Sequence, residues 1–116
     1  MRRGDIVIVR IPYVDREGGK NCPALVVQND RDNERLAQTV VAMITGNIRF
    51  AGEPTQLLLD PAAPEGRELG LRGPSAVKCC NLFTIAQQHI VRTIGRLTPE
   101  LQVKLDECLK IALSLQ

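Results

Sequence analysis

Four apolar residues stand in an unbroken row, Ala24-Leu25-Val26-Val27, between Cys22-Pro23 on one side and Gln28-Asn29-Asp30 on the other. A run this short, half of it β-branched and flanked by proline and Asn-Asp, reads as a strand buried on both faces. A second run follows at Thr39-Val40-Val41-Ala42-Met43-Ile44-Thr45 and ends in Gly46-Asn47. Two such strands need cover on both sides, so the rest of the chain must either cover them or frame their ends. Each run also delivers polar residues to its end: Asn29 and Asp30 on one, Thr45 and Asn47 on the other. A rigid strand ending in exposed polar groups is a common way to position a site.

The remaining elements fall into place around this pair. Asp5-Ile6-Val7-Ile8-Val9-Arg10 is a first strand, closed by Pro12. Residues 13–20 are polar, contain Gly18-Gly19 and read as a loop carrying Arg16 and Lys20. Residues 31–36 are a polar excursion of about one helical turn. Residues 48–54 form a second loop with Arg49, and residues 55–59 a strand. Residues 60–73, rich in Pro, Gly and charge, read as irregular. Further strands are expected at 75–80 and 90–97, with an ambiguous helical turn between 82 and 89. Thr98 is an N-cap residue, Pro99 suits the first helical position and Glu100 the positive end of the dipole. Leu101, Leu105, Cys108, Leu109, Ala112 and Leu115 then make one apolar stripe on a helix over 99–115. The pattern predicts a mainly β fold with a C-terminal helix, a small, curved antiparallel barrel of five or six strands.

Length bounds the answer to one domain over residues 1–116. A net charge of +2 does not by itself signal nucleic-acid binding, but permits it where arginines cluster. Only Tyr13, Phe50 and Phe83 are aromatic, so a base-stacking platform is poorly supplied. Met1-Arg2-Arg3-Gly4-Asp5 leads straight into a strand, and no apolar stretch approaches the roughly 20 residues of a membrane span. A soluble, cytoplasmic protein is the expectation. The cysteines, at 22, 79, 80 and 108, make no C-x-x-C pair, and His89 is the single histidine. That pattern argues against structural zinc and for free thiols, with Cys80 and Cys108 packed as small hydrophobes.

At this point a resemblance emerges. Gly4-Asp5-Ile6-Val7, the stretch from Pro23 to Asp30, Val41-Ala42-Met43-Ile44-Thr45, Gly70-Leu71 before Pro74-Ser75-Ala76-Val77, and Ile94-Gly95-Arg96-Leu97-Thr98-Pro99-Glu100 resemble the MazF/PemK family, toxins of bacterial toxin–antitoxin pairs. The likeness runs nearly the whole chain, in order and at the right spacing. It implies an SH3-like barrel with a C-terminal helix, a homodimer, and cleavage of single-stranded RNA without metal or other cofactor. It also implies a partner antitoxin whose acidic, flexible tail occupies the RNA groove.

The implied chemistry uses the ribose 2′-hydroxyl as nucleophile on its own phosphate. The protein must help remove that proton, stabilise charge on the phosphorus centre and protonate the leaving oxygen. Arginine suits the second task because its planar fork matches phosphate oxygens and stays charged. The resemblance implies that an Arg just before the proline of the first run and the Thr ending the second take these roles. Thr45 is present, but Cys22 stands at the Arg position. A thiol offers no charged bidentate pair, so the resemblance implies a weakened or inactive enzyme. Some relatives also carry Arg-Thr-Ile-Asp where this chain has Phe83-Thr84-Ile85-Ala86, without either charge.

Bland alternatives stand beside each of these readings. Thr45 can simply end a strand, and Asn29 can cap a turn. Asn47, Arg49, Arg10, Arg16 and Lys20 are RNA- or antitoxin-contact candidates, and equally ordinary surface residues. His89 is a conceivable general base but lies far along the chain from Thr45. Three functions remain open: a toxin endoribonuclease; a non-catalytic antitoxin- or RNA-binding module of the same fold; and a topoisomerase-poisoning toxin of the same barrel. The matches at 23–30 and 44–45 favour the first over the third.

Overall fold

The two apolar runs become neighbouring central strands of a six-stranded antiparallel sheet in the computed structural model, which describes residues 1–116. The strands are β1 (Asp5–Pro12), β2 (Gly19–Val26), β3 (Gln38–Thr45), β4 (Gln56–Leu59), β5 (Ser75–Ala86) and β6 (Ile90–Arg96), ordered β4-β5-β3-β2-β1-β6. Helix α1 (Asp30–Arg35) joins β2 to β3, and α2 (Pro99–Ala112) closes the chain.

Strand alternation divides the apolar residues between two cores. Ile6, Leu25, Ala42, Ile44, Leu57, Leu59 and Val77 face α2 and pack with its Leu101 and Leu105. Val7, Val9, Ala24, Val26 and Val41 face the other way, under Ile85 and Ile90. Ala24, Leu25 and Val26 are all fully buried, so β2 is covered on both faces as its composition requires.

That double cover depends on β5. Ala42 pairs with Leu82 but Met43 pairs with Lys78, so residues 79–81 are extra on β5 and bend it sharply. The far part of β5 continues along β3, a short 3-10 turn at Gln87–His89 follows, and β6 returns along β1. The expected strand at 75–80 therefore runs on to Ala86, and only 87–89 is helical.

The expected barrel is SH3-like in fold, but its sheet is open: the edge strands β4 and β6 do not pair. The irregular stretch after β4 lies along the seam instead. Arg96 donates its backbone N–H to the Glu68 carbonyl at 2.9 Å, and Leu69 is fully buried. The contact requires glycine: a Cβ at Gly95 would overlap the Leu69 carbonyl, and Gly70 sits at φ +69° against the carbonyl of Ile94.

Two further expectations change. The hairpin ladder from β1 to β2 persists to the pair Pro12↔Gly19, so the loop shrinks to residues 13–18 and Lys20 lies on a strand. Helix α2 stops at Ala112 because Ser114 turns left-handed, at φ +56°, and Leu115 donates its N–H to the Lys110 carbonyl. Leu115, in phase with the apolar stripe, is 60% exposed.

Leu105 is fully buried. Leu105→Ala should cost about 2–5 kcal/mol in denaturant unfolding, whereas Leu115→Ala should fall within about 0.5 kcal/mol of the native protein. Equal costs would show that the helix packs beyond Ala112.

Candidate active site

Antiparallel register brings the two ends together that sequence had singled out. Ala24 pairs with Met43. Continued by two residues, the same register sets Cys22 opposite Thr45. Ile44 points into the core under α2. Cys22 packs against the opposite core. Alternation therefore puts Cys22 and Thr45 on one face of the sheet. Both are half-buried.

The chain leaves β3 through two side-chain turns. The Asn47 N–H donates to Thr45 Oγ1 at 3.1 Å, and the Arg49 N–H donates to Asn47 Oδ1 at 3.1 Å. Thr45 Oγ1 is thereby fixed as an acceptor while its own proton has no acceptor in the protein, so the hydroxyl can donate outward. Asn47 spends its side-chain oxygen on the turn. Arg49 is exposed, its guanidinium 5.3 Å from the centre of the Phe50 ring.

The other predicted contacts are not all assembled here. Lys20 lies two residues from Cys22 on the same face, at the exposed end of the hairpin. Arg16 is at the hairpin tip, stacked 4.2 Å from the centre of the Tyr13 ring. Arg10 pairs with Asn21 on the opposite face of the sheet, with Nη1 3.5 Å from Asn21 Oδ1. Asn29 is at the far end of β2, about 20 Å along the strand from Cys22. Its side chain caps α1, accepting from the Asp32 N–H at 2.9 Å and donating to Asp32 Oδ2. The structure does not bring Asn29 together with Thr45. His89 sits on the turn before β6, two residues after Gln87, whose N–H bonds the Ala37 carbonyl just before β3, at the end remote from Thr45. Phe83 pairs with Val41, four residues back along β3 from Thr45.

Two arginines went unnoticed in the sequence. A cleft of about 640 Å³ opens on the other face, between Asn21, Pro23, Gly46, the 70–75 loop and β6. Arg72 and Arg92 line it, no acidic residue does, and neither arginine has an ion-pair partner. Only topology makes them neighbours; they lie 20 positions apart on elements with no shared motif.

Away from this end, Arg2, Arg3, Arg35 and Lys110 are each paired with a carboxylate. The Arg3 backbone N–H bonds Asp30 Oδ1 at 2.7 Å and is the main reason that this carboxyl is held below the usual carboxylate range. The Arg3 guanidinium bridges the Val27 carbonyl and Asp106 at 2.9 Å each, pinning β2 to α2. Around the Cys22–Thr45 end, by contrast, Lys20, Arg49, Arg72, Lys78 and Arg92 take part in no ion pair.

Residues 2–113 match the PemK-like, MazF-like toxin family of type II toxin–antitoxin systems. The chain belongs to this family. It is 33% identical to endoribonuclease EndoA of Bacillus subtilis, over 99% of this chain and 96% of that one. It is 34% identical to endoribonuclease MazF9 of Mycobacterium tuberculosis, over 99% of this chain and 98% of that one. Among solved structures, the M. tuberculosis toxin MazF-mt6 superposes with a TM-score of 0.74 at 27% identity, covering 95% of this chain and 98% of that chain. A mycobacterial endoribonuclease in complex with its cognate antitoxin shares the fold, at a TM-score of 0.77 and 24% identity over 100% and 97% of the two chains.

The thiols of this MazF/PemK family member divide by environment. Cys79 stays in phase with Val77, facing α2, and is fully buried; Cys80 falls on the bend of β5 and is exposed. The expectation that Cys80 packs in the core is thus corrected to Cys79. Cys108 is half-buried, as expected of a packed thiol near the helix–sheet interface. Burial pushes the Cys79 thiol up to about 12, so almost no thiolate forms at pH 8. Under native conditions at that pH, iodoacetamide should label Cys80 first and Cys79 only after denaturation, as read by peptide mass. Labelling of both at one rate would contradict the burial assigned here.

Proposed function

We propose that this protein is the toxin of a type II toxin–antitoxin pair and an endoribonuclease that cuts single-stranded RNA without metal, at the sheet face holding Thr45. The observation that carries the reading is the Thr45 hydroxyl. It is held by the Asn47 N–H with its own proton free, and it sits at the strand end where the sequence resemblance implies the site. That EndoA and MazF9 are named endoribonucleases supports the same reading.

In this reading Thr45 donates its hydroxyl proton to a non-bridging oxygen of the scissile phosphate. The 2′-oxygen attacks phosphorus, the bond to the 5′-oxygen breaks, and the products end in a 2′,3′-cyclic phosphate and a 5′-hydroxyl. Cys22 leaves the site without the guanidinium that the family resemblance places there. A preorganised charge-stabilising donor is typically worth about 10²–10³ in rate, so the protein as it stands is a slow enzyme. An acidic antitoxin tail competes for the same cationic end, across Arg16, Lys20 and Arg49, and Arg10, which lies with Arg72 and Arg92 on the other face. The known complex of a relative with its antitoxin supports such a partner. The toxin is a homodimer in this account, consistent with the exposed apolar side chains Leu58, Ile111, Leu113 and Leu115.

Cys22 itself favours one second reading, a non-catalytic module that keeps antitoxin or RNA binding. The test is to incubate native protein, Cys22→Arg and Cys22→Arg/Thr45→Ala with an unstructured RNA in EDTA and to resolve the fragment ends. Cys22→Arg should cut at least about 10² faster than native, leaving cyclic-phosphate ends, and Thr45→Ala should remove most of that gain. No cleavage by Cys22→Arg would give the binding module the lead.

A further inference from the structure

Two rungs of the sheet lie side by side on the Thr45 face. One is Leu58, Ala76 and Thr45; the next is Gln56, Lys78 and Met43. Leu57 and Val77, between them in sequence, point into the core under α2. Alternation therefore puts Lys78 and Gln56 on the face of Thr45. Lys78 is the diagonal neighbour of Thr45, with Cα atoms about 7–8 Å apart. Its four-carbon stem is long enough to bring the ammonium beside the hydroxyl.

Lys78 is half-buried and takes part in none of the ion pairs of the molecule. Directly across from it, Gln56 Oε1 is buried without a hydrogen-bond partner. A buried acceptor left open costs about 1–3 kcal/mol. An ammonium group held at this rung can donate to that oxygen and keep two N–H groups for a ligand. No other lysine or arginine of the strands is so placed. Lys20 is on the same face but two residues beyond Cys22, and Arg10 is on the opposite face.

We propose that Lys78 supplies the positive charge at the scissile phosphate that Cys22 does not. The inference rests on the endoribonuclease reading and deepens it. As the 2′-oxygen attacks and the 5′-oxygen departs, the extra negative charge gathers on the non-bridging oxygens. The Lys78 ammonium contacts one of them and Thr45 the other. Lys78 keeps its protons: solvent takes the proton of the 2′-hydroxyl, and the 5′-oxygen takes one from water. Gln56 Oε1 orients the ammonium. A lysine is a point charge without the fork of arginine, which fits a slower enzyme than one with arginine at position 22.

The experiment compares native protein, Lys78→Met, Lys78→Arg, Cys22→Arg and the double variant Cys22→Arg/Lys78→Met. It reads single-turnover cleavage of an unstructured RNA in EDTA, and separately the binding of an all-2′-deoxy oligonucleotide of the same sequence. Thermal melts check that each variant folds. Lys78→Met should lower the native rate about tenfold or more while changing deoxy-oligonucleotide binding by less than about threefold, since the charge acts mainly in the transition state. Lys78→Arg should keep most of the rate. In the Cys22→Arg background the same Lys78→Met change should cost less than about threefold, because two groups serving one role are not additive. An unchanged rate, an equal loss of rate and binding, or the same loss in both backgrounds would overturn the role of Lys78. Cleavage by Cys22→Arg but none by the native protein would also overturn it while leaving the endoribonuclease reading intact. Cleavage by none of the five would remove both.

Discussion

The β2–β3 ladder is the contact on which everything else depends. Its residues are buried on both faces, so it cannot be stable until two separate layers cover it. Helix α2 supplies one layer through Leu101 and Leu105. The bent second half of β5 and the start of β6 supply the other through Ile85 and Ile90. Fully burying one such aliphatic side chain is worth about 1.5–3 kcal/mol, so the strands are fixed from both sides at once. A strand held that firmly can end in an exposed hydroxyl without letting it wander, and Thr45 is placed in this way.

The same ladder explains why the site is split between faces. Antiparallel pairing brings the start of β2 to the end of β3, so Cys22 and Thr45 share one face. Their sequence neighbours Asn21, Pro23 and Gly46 line the cleft of Arg72 and Arg92 on the other. Cations therefore stand on both sides of this end of the sheet, Lys20 and Lys78 on one and Arg72 and Arg92 on the other. The proposed chemistry is confined to the Thr45 face, where register makes Lys78, from a third strand, the diagonal neighbour of Thr45.

Much of this could be read from residue order. Thr98 caps α2 with its side chain accepting from the Leu101 N–H, and Asn29, just past the end of β2, caps α1, whereas Pro23 lies inside β2 opposite Ile8. Those signals are local, and local signals survive folding. The failures share one cause, a dependence on distant contacts. The bend at residues 79–81 exchanges one alternation for another, so the continuous run around Cys79-Cys80 could not say which thiol faces the core. Leu115 keeps the helical phase but lies beyond a left-handed turn at Ser114. The open seam follows from Gly70 and Gly95 admitting a loop where β4 and β6 could have met. Arg72, Arg92 and Lys78 became candidates only once strand register placed them; no spacing rule links position 78 to position 45. Asn29, promising as the end of a buried strand, is taken up by capping at the opposite end of the sheet from Thr45.

The proposed site for RNA is the Thr45 end of the sheet, on the face shared by Cys22 and Lys78. Amide chemical-shift mapping with a non-cleavable all-2′-deoxy oligonucleotide tests it most directly. The largest shifts are expected at Thr45, Asn47, Ala76 and Lys78, with the amides of Asn29 and Asp30 unmoved. Shifts centred on α1 around Asn29, with Thr45 and Lys78 unchanged, would contradict it.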